Sequence, residues 1–315
     1  MIKLTYIIPC YFNGENLPIT TRVLIENEKL FSEDIIFEYV MVDDGSQDNT
    51  WQELEKFYLL HPQKVRIIKL ASNVGSFNAI LAGMNYATGD CNVMLAADLQ
   101  DPPEMIPQML AYWQKGIKLV IANRSDREES FGQKLFSNTY HYLVKKLALK
   151  NVPEGGFDLV LFDKELCKKI VEINEKNTNI LYLLTWLGYS YVNIPYVRRK
   201  REVGKSRWTV TKKIKMFIDS FVAFSFFPIR AISVTGILLS LCSFIYAIYI
   251  VFCKFTGIIQ IEGWSSMMLV LLIVSSFQML GMGVLGEYIW RTLDTVRKRP
   301  PFVVEMVKEE NSNVN

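Results

Sequence analysis

The sequence predicts an α/β protein, with a mostly parallel sheet that has helices on both faces and with two long apolar helices after it. Two observations predict this class. Strand-like and helix-like segments alternate four times within about the first 100 of the 315 residues, as in sheets built from strand–helix–strand units. In the C-terminal part, residues 231–253 and 267–286 carry no charge, which is typical of helices that cross a membrane.

The individual elements are predicted from short apolar runs and from the breaks between them. Runs rich in β-branched, aromatic and other apolar side chains predict strands over residues 3–9, 37–42, 65–70, 92–97 and 119–123. The segments between them predict helices over residues 17–30, 51–60, 77–87 and 131–149. Capping-type residues precede the helix over 51–60, and Gly75 allows a close backbone approach before the next one.

Two acidic residues, Asp43 and Asp44, follow the second predicted strand. Open α/β sheets bind their ligands at the carboxyl ends of their strands. A carboxylate there can accept hydrogen bonds from a ribose or from a base N–H. A simple helix cap explains Asp48 or Asn49 but not the pair before them.

The fourth predicted strand runs into an acidic turn that holds the candidate reaction centre. Residues 94–97 are predicted to end a buried strand, and Pro102 and Pro103 prevent its continuation. The carboxylate of Asp98 and the amide oxygen of Gln100 are hard ligands that suit Mg²⁺ or Mn²⁺ held against a diphosphate. Taken alone, this stretch is equally compatible with an acidic surface turn that opens a helix.

The two uncharged stretches are long enough to cross a bilayer, since each residue of a helix adds about 1.5 Å and the apolar core is about 30 Å thick. Arg230 precedes the first stretch, and four basic residues within 291–299 follow the second. The positive-inside rule therefore places both ends, and everything before residue 228, in the cytoplasm. The alternative is a buried hairpin of a soluble protein, but soluble helices rarely run this long without a polar face.

A basic segment precedes the first apolar stretch. Residues 198–215 contain nine Lys or Arg and one acid. Such a run can bind nucleic acid, but its position beside a predicted span favours anionic lipid, so we expect a lipid bilayer and no nucleic acid as partner. Lysines alternate with apolar residues over 211–227, as in a helix that lies in the membrane interface.

These features predict four regions. They are a cytoplasmic catalytic domain (1–208), an amphipathic juxtamembrane helix (209–229), a two-helix transmembrane region (230–290) and a cytoplasmic tail (291–315).

Other nucleotide-binding classes lack support. None of the predicted strands is followed by a Gly-x-Gly-x-x-Gly turn or by a phosphate-cradling P-loop, so acids and a metal would have to hold a nucleotide. The five cysteines show no paired metal spacing, and we expect free thiols.

Four segments resemble the family-2 glycosyltransferases of the GT-A fold. They are IIPCY (7–11), VDDGS (42–46), NVG (73–75) and ADLQDPPE (97–104). The last is most similar to polyprenyl-phosphate sugar transferases, the group of the dolichyl-phosphate mannose synthases and the bacterial bactoprenol glucosyltransferases. The resemblance covers nearly the whole chain.

The resemblance implies roles for particular residues. The implied nucleotide-binding residues are Pro9, Tyr11, Asn13, Asp43, Asp44 and Asn73. The implied ligands of Mg²⁺ or Mn²⁺ are Asp98 and Gln100, and the implied catalytic acids are Asp98 and Asp158. A strand-end cap is the alternative for Asp158. The phosphate and lipid-phosphate candidates are Arg124, Arg201, Lys205, Ser206 and Arg207, and for Arg124 a solvated charged loop is the alternative.

Four positions depart from the family pattern. Ala96 stands where the mannose synthases have an acid, which implies one fewer metal ligand or weaker binding. Phe12 and Asn13 replace a common Asn-Glu pair, which leaves the base contacts of that loop open. Val160 replaces an arginine.

The function that the resemblance implies is inverting transfer of a sugar from a nucleotide-sugar to polyprenyl (undecaprenyl) phosphate for cell-envelope glycosylation. Ala96 favours UDP-glucose or UDP-N-acetylglucosamine over GDP-mannose. The implied protein is a multi-pass protein of the inner membrane and a homo-oligomer such as a tetramer. Two alternatives remain: a processive polysaccharide synthase, which usually carries a Gln-x-x-Arg-Trp motif that is absent here, and a non-catalytic scaffold, which only Ala96 supports.

Overall fold

The structure is a computed structural model that describes residues 1–126, 145–146, 149, 152–153, 157–199, 218–219, 221–256 and 263–310. The chain forms two compact units. The first contains Met1–Asp219 together with Pro300–Asn315, and the second contains Ser220–Arg299.

The first unit is built on an eight-stranded mixed sheet. The strands are β1 (Ile2–Cys10), β2 (Ile35–Asp43), β3 (Val65–Leu70), β4 (Cys91–Met94), β5 (Leu119–Asp126), β6 (Phe157–Asp163), β7 (Tyr191–Val197) and β8 (Val304–Lys308). Their order across the sheet is β7-β5-β6-β4-β1-β2-β3-β8. Of these strands, β6 and β8 pair antiparallel with their neighbours, and the other six run parallel to one another.

Helices cover both faces of this sheet, because side chains along each strand alternate between the faces. The helices are α1 (Leu17–Asn27), α2 (Thr50–Leu60), α3 (Ser76–Tyr86), α4 (Ile106–Gln114), α5 (Lys164–Ile173) and α6 (Ile180–Trp186). One buried cluster joins Leu4, Tyr6 and Ile8 of β1 to residues of α1, α2 and α4. A second cluster joins Val40 and Val42 of β2 to residues of α3. The predicted fold class is confirmed.

Two predicted strand ends are wrong by three residues, since β5 runs on to Asp126 instead of ending at residue 123, and β4 ends early. Strand β4 ends at Met94, whereas the sequence predicted a strand to residue 97. The Leu95 N–H still donates to the Ile7 carbonyl at 3.2 Å. The Ala97 carbonyl, however, accepts from the Thr20 hydroxyl of α1 at 2.7 Å. The chain therefore keeps one hydrogen bond to β1 at Leu95 and turns toward α1 by Ala97, and both residues stay buried.

The sequence did not predict β8. This strand lies within the segment interpreted as a cytoplasmic tail, and it pairs antiparallel with β3 at the edge of the sheet. Part of that segment therefore completes the sheet of the first unit.

The second unit contains two long helices, α7 (Phe227–Phe255) and α8 (Trp264–Val296). Both include a stretch long and apolar enough to cross a membrane, of 20 residues in α7 and 31 in α8. Their large apolar side chains are exposed, for example Ile237 at 68% and Phe244 at 66%. A Cβ atom at Gly281 would lie 3.3 Å from the Ile232 side chain, so this glycine serves the contact between the two helices.

Residues 209–217 and 220 of the predicted juxtamembrane helix, and most of the basic segment, lie outside the described residues; residues 218–219 and 221–224 are helical, and α7 begins at Phe227. Nearly all of the helix predicted over 131–149 also lies outside the described residues.

Candidate active site

The topology gathers the candidate residues at one edge of the sheet. The six parallel strands end there, and β6 begins there because it runs the opposite way. The loops after β1 to β4 contribute Tyr11, Asn13, Asp44, Asn73, Asp98 and Gln100, while Asp43 and Arg124 lie at the ends of β2 and β5 and Asp158 at the start of β6.

Asp44 organises the loop that follows β3. It is 2% exposed. Its carboxylate accepts from the Val74 N–H at 2.7 Å, the Gly75 N–H at 3.0 Å and the Asn73 side-chain amide at 2.9 Å. Gly45 follows with a φ of +67°, and a Cβ atom there would lie 2.7 Å from the Asn73 backbone nitrogen. The turn after β2 and the loop after β3 thus form one packed structure.

Asp43 has one oxygen that the described protein leaves unpartnered. Its Oδ1 accepts from the Ser46 N–H at 3.0 Å, whereas its Oδ2 is buried without a hydrogen-bond partner among the described residues. Burial raises the pKa of Asp43 above its usual range, although the hydrogen bonds from Ser46 oppose this. A buried acceptor without a partner is costly, so this oxygen is suited to an N–H or O–H of a ligand.

The loop after β1 is fixed by its own Asn13 side chain and by Ser46 of the turn after β2. The Tyr11 N–H donates to the Asn13 side chain at 2.7 Å, and the Phe12 N–H donates to the Ser46 hydroxyl at 3.0 Å. Phe12 has a φ of +53°, an uncommon value for a bulky residue. Its ring packs edge-on against the Tyr11 ring, with 4.7 Å between the ring centroids. Pro9 lies two residues before Tyr11, inside β1 and opposite Val42 of β2.

The Asp98 turn has an unusual backbone between its two predicted ligands. Leu99 has a φ of +52°, a left-handed conformation that costs a residue with a side chain about 1 kcal/mol or more. The Gln100 N–H lies 3.3 Å from the Asp98 carboxylate. The Gln100 side-chain amide donates to the Arg199 carbonyl at 3.3 Å. This places Asp98 and Gln100 on either side of a strained residue.

The donor set fits a divalent cation that arrives with a substrate. No group of three or more His, Cys, Asp or Glu side chains that could hold a metal is present in the described parts of the chain. Mg²⁺ usually keeps several waters and binds one or two carboxylates together with substrate phosphates. Asp98 with Gln100 meets that requirement, and a closed protein cage does not form here.

Two arginines, Arg124 and Arg198, and two acids, Asp158 and Asp101, form a charged cluster next to the Asp98 turn. Arg124 forms an ion pair with Asp158, and Arg198 Nη2 lies 3.4 Å from the same carboxylate. The Arg198 Nε lies 3.6 Å from Asp101, which is fully buried and also accepts a hydrogen bond from the Tyr196 hydroxyl. Burial lowers the pKa of the Arg124 guanidinium, and the positive charge of Arg198 adds to this effect. The cluster therefore holds two cations in a partly dry environment.

Sequence reasoning missed Arg198 and Tyr196 as site residues, whereas it had placed Asp101 with Asp98 and Gln100 at the end of the fourth strand. Arg198 opens a run of basic residues in which nothing distinguishes it, and Tyr196 reads as an ordinary strand residue. The pairing of β7 with β5 brings both beside Arg124. The predicted phosphate ligands Arg201, Lys205, Ser206 and Arg207 lie outside the described residues.

A family model described as "Glycosyl transferase family 2" matches residues 5–171. An uncharacterised glycosyltransferase of Bacillus subtilis (strain 168), YkcC, is 34% identical over 85% of this chain and 83% of its own. The prophage bactoprenol glucosyl transferase homolog of Escherichia coli (strain K12) is 30% identical over 98% of this chain and 100% of its own. The undecaprenyl-phosphate 4-deoxy-4-formamido-L-arabinose transferase of Proteus mirabilis (strain HI4320) is 29% identical over 99% and 96%.

Among solved structures, the mannosyltransferase PcManGT of Pyrobaculum calidifontis, solved with GDP-Man and Mn²⁺, superposes with a TM-score of 0.49. The sequence identity is 17%, and the match covers 70% of this chain and 63% of that one.

Proposed function

The chain belongs to glycosyl transferase family 2, and from this premise we propose that it transfers a sugar from a nucleotide-sugar to a polyprenyl phosphate at a membrane. The family predicted from the sequence motifs is confirmed, and the chain is a glycosyltransferase. The donor, the acceptor and the roles of individual residues are the content of the proposal.

The acceptor is supported by relatives that match over nearly their full length. Those from Escherichia coli and Proteus mirabilis are named for bactoprenol and undecaprenyl phosphate. A long-chain polyprenyl phosphate resides in a bilayer, and α7 and α8 each contain an apolar stretch that can cross one. A soluble acceptor would not require these helices.

The observation that carries the proposal is the composition of the sheet edge. It combines a buried carboxylate oxygen of Asp43 that lacks a donor with the two hard ligands of the Asp98 turn. The first suits a nucleobase or ribose, and the second suits a divalent cation, Mg²⁺ or Mn²⁺, held against a diphosphate. When bound there, the cation would offset the charge that develops on the leaving nucleotide. We propose UDP-glucose or UDP-N-acetylglucosamine as donor.

The residues of the chain then have distinct tasks. Asp44 and Asn73 hold the loop after β3 (residues 71–75), which we call the nucleotide loop, and Asp43 accepts a hydrogen bond from the nucleotide. The fork of Arg124 and the neighbouring Arg198 bind phosphate, which would compete with Asp158 for these guanidinium groups. Asp158 keeps the guanidinium groups of Arg124 and Arg198 oriented until the acceptor enters. A phosphate is already ionised near pH 7, so it can attack the anomeric carbon in line, with inversion, without a general base.

The points at which the chain leaves and rejoins the first unit support one membrane topology. The chain leaves the first unit at residue 219 and rejoins it at residue 300. Two crossings return the chain to the side from which it started, as the pairing of β8 with β3 requires. The basic residues that flank the helices favour the cytoplasmic face of the inner membrane. The homo-oligomer implied by the resemblance stays a prediction.

The test is transfer of a radiolabelled sugar into an organic-extractable lipid. Purified protein in undecaprenyl-phosphate liposomes is given UDP-glucose or UDP-N-acetylglucosamine with Mn²⁺. We expect a lipid product bearing a single sugar. In Asp98→Asn we expect a loss of rate of about 100-fold or more, because the cation that offsets the negative charge developing on the leaving nucleotide would be held less well. Asp34→Asn, the same change at an exposed acid before β2, is the matched control and should retain the rate.

Three results would count against the proposal. A polymeric product would favour a processive synthase, and absence of binding and turnover with every nucleotide-sugar would favour a non-catalytic scaffold. Full activity of Asp98→Asn would remove Asp98 from the metal site.

A further inference from the structure

Strand β8 continues along β3 as far as the nucleotide loop. The pairing runs antiparallel from Ile67 opposite Lys308 to Leu70 opposite Val304. Beyond the last pair, the Ala71 N–H donates to the Val303 carbonyl at 2.9 Å. The C-terminal segment therefore holds the backbone of the loop at its first residue.

Side chains reinforce this pairing. Three apolar side chains of the C-terminal segment, Phe302, Val304 and Val307, pack against the second buried cluster described above, which joins β2 and β3 to α3. Val74 of the nucleotide loop packs against the same cluster. On the outer side of the pair, Lys69 Nζ lies 2.8 Å from Glu305. The Arg66 Nε lies 2.6 Å from Glu309 at the far end of β8. The segment is thus fixed by apolar and charged contacts along its length.

The loop so anchored carries the hydrogen bonds to Asp44. Only Ser72 separates Ala71 from Asn73, and the donors to the carboxylate are Asn73, Val74 and Gly75. The loop is therefore held on one side by Asp44 and on the other by Val303. Without β8, β3 would become an edge strand and the loop would lose its outer anchor.

We infer that the segment 302–309 is a positioning element for the donor site. It touches no substrate, and it acts by fixing the loop that sets Asp44 and Asn73. This inference rests on the proposed function, because it assigns the loop to the nucleotide. Disturbing β8 should raise the KM for the donor and leave kcat and the KM for the acceptor lipid nearly unchanged.

The test compares two substitutions on neighbouring residues of β8. Val307→Asp places a charge against the apolar cluster, while Met306→Asp places the same charge at a side chain that is 42% exposed. We expect Val307→Asp to raise the donor KM for UDP-glucose about fivefold to tenfold, with kcat and lipid KM within about twofold of wild type. Met306→Asp and the conservative Val307→Ile should behave as wild type.

A second measurement does not depend on the donor. Amide hydrogen exchange of the peptide that contains residues 71–75 should be faster in Val307→Asp than in Met306→Asp, since Val74 and Gly75 lose protection. The milder Val307→Thr serves if the aspartate variant does not fold.

Unchanged exchange in both Val307→Asp and Val307→Thr, or a fall in kcat with an unchanged donor KM, would overturn the inference. Failure of wild-type protein to use any nucleotide-sugar would instead overturn the proposed function, and the exchange comparison would still decide whether β8 fixes the loop.

Discussion

Two acidic turns at the same edge of the sheet differ in how far the protein completes them. The turn after β2 is closed: Asp44 is 2% exposed, and two backbone N–H groups and an amide already contact its oxygens. The turn after β4 is open: Asp98 is partly exposed, and the Gln100 N–H approaches it at 3.3 Å. The first turn is buried by the fold, whereas the second keeps its carboxylate partly accessible to solvent.

In the proposed function, this difference separates a carboxylate that holds the fold together from a carboxylate that takes part in the reaction. Buried hydrogen bonds to a carboxylate stabilise the folded state, and a partly exposed carboxylate contributes little to it. The closed turn should therefore control stability and donor binding, and the open turn should control the chemical step. Three experiments test this division.

The largest effect on stability should come from Asp44→Ala. This change leaves the Val74 and Gly75 N–H groups without an acceptor, and we expect a loss of about 3 kcal/mol, or a fall in Tm of about 6 to 12 °C. Thermal unfolding in detergent measures it. Asp98→Ala is the comparison and should change the unfolding free energy by less than about 0.5 kcal/mol. A larger loss in Asp98→Ala than in Asp44→Ala would refute the division.

An intermediate effect is expected on the pH dependence of nucleotide binding. Burial raises the pKa of Asp43, and a ligand N–H donor favours its ionised form. As pH falls through this raised pKa, the carboxyl takes up a proton and becomes a neutral, weaker acceptor, so UDP affinity should fall, by up to about tenfold per pH unit. Calorimetric titration between pH 7 and pH 4 measures the slope. Asp43→Asn should bind more weakly at pH 7 and show no such slope; a variant with the wild-type slope would show that another group titrates.

The smallest effect should come from the strained residue of the open turn. Leu99→Val puts a β-branched side chain at a φ of +52° and should cost about 1 kcal/mol in unfolding free energy, with lower turnover because Asp98 and Gln100 are turned apart. Asparagine tolerates this conformation, so Leu99→Asn should keep both stability and turnover closer to wild type. Equal behaviour of the two variants would show that backbone strain does not set the metal ligands.

Local patterns were sufficient to predict most of this architecture. The strand over 65–70 was predicted at its observed bounds, because its apolar residues are bracketed by loop residues on both sides. Asp43, Asp44, Asp98 and Gln100 were located because carboxyl ends of parallel strands share one edge of a sheet.

Nonlocal pairing accounts for what the sequence did not predict. Arg198 belongs to the site only because β7 pairs with β5, and the antiparallel direction of β6 is what turns Asp158 toward it. Likewise, β8 is five residues of mixed polarity with no signal of its own, and it becomes a strand because β3 offers an edge. Beyond the early end of β4, the Ala97 carbonyl accepts from the Thr20 hydroxyl of α1, a contact that no periodicity reveals.

The late position of β8 in the chain has a consequence for biosynthesis. It emerges from the ribosome about 230 residues after the strand that it must join, which corresponds to roughly 10 to 50 s of translation. Throughout that interval the outer edge of β3 is unpaired and can pair with a strand of another chain. Nascent chains stalled before residue 304 should therefore be the form of this enzyme most prone to aggregation and to degradation by quality-control proteases.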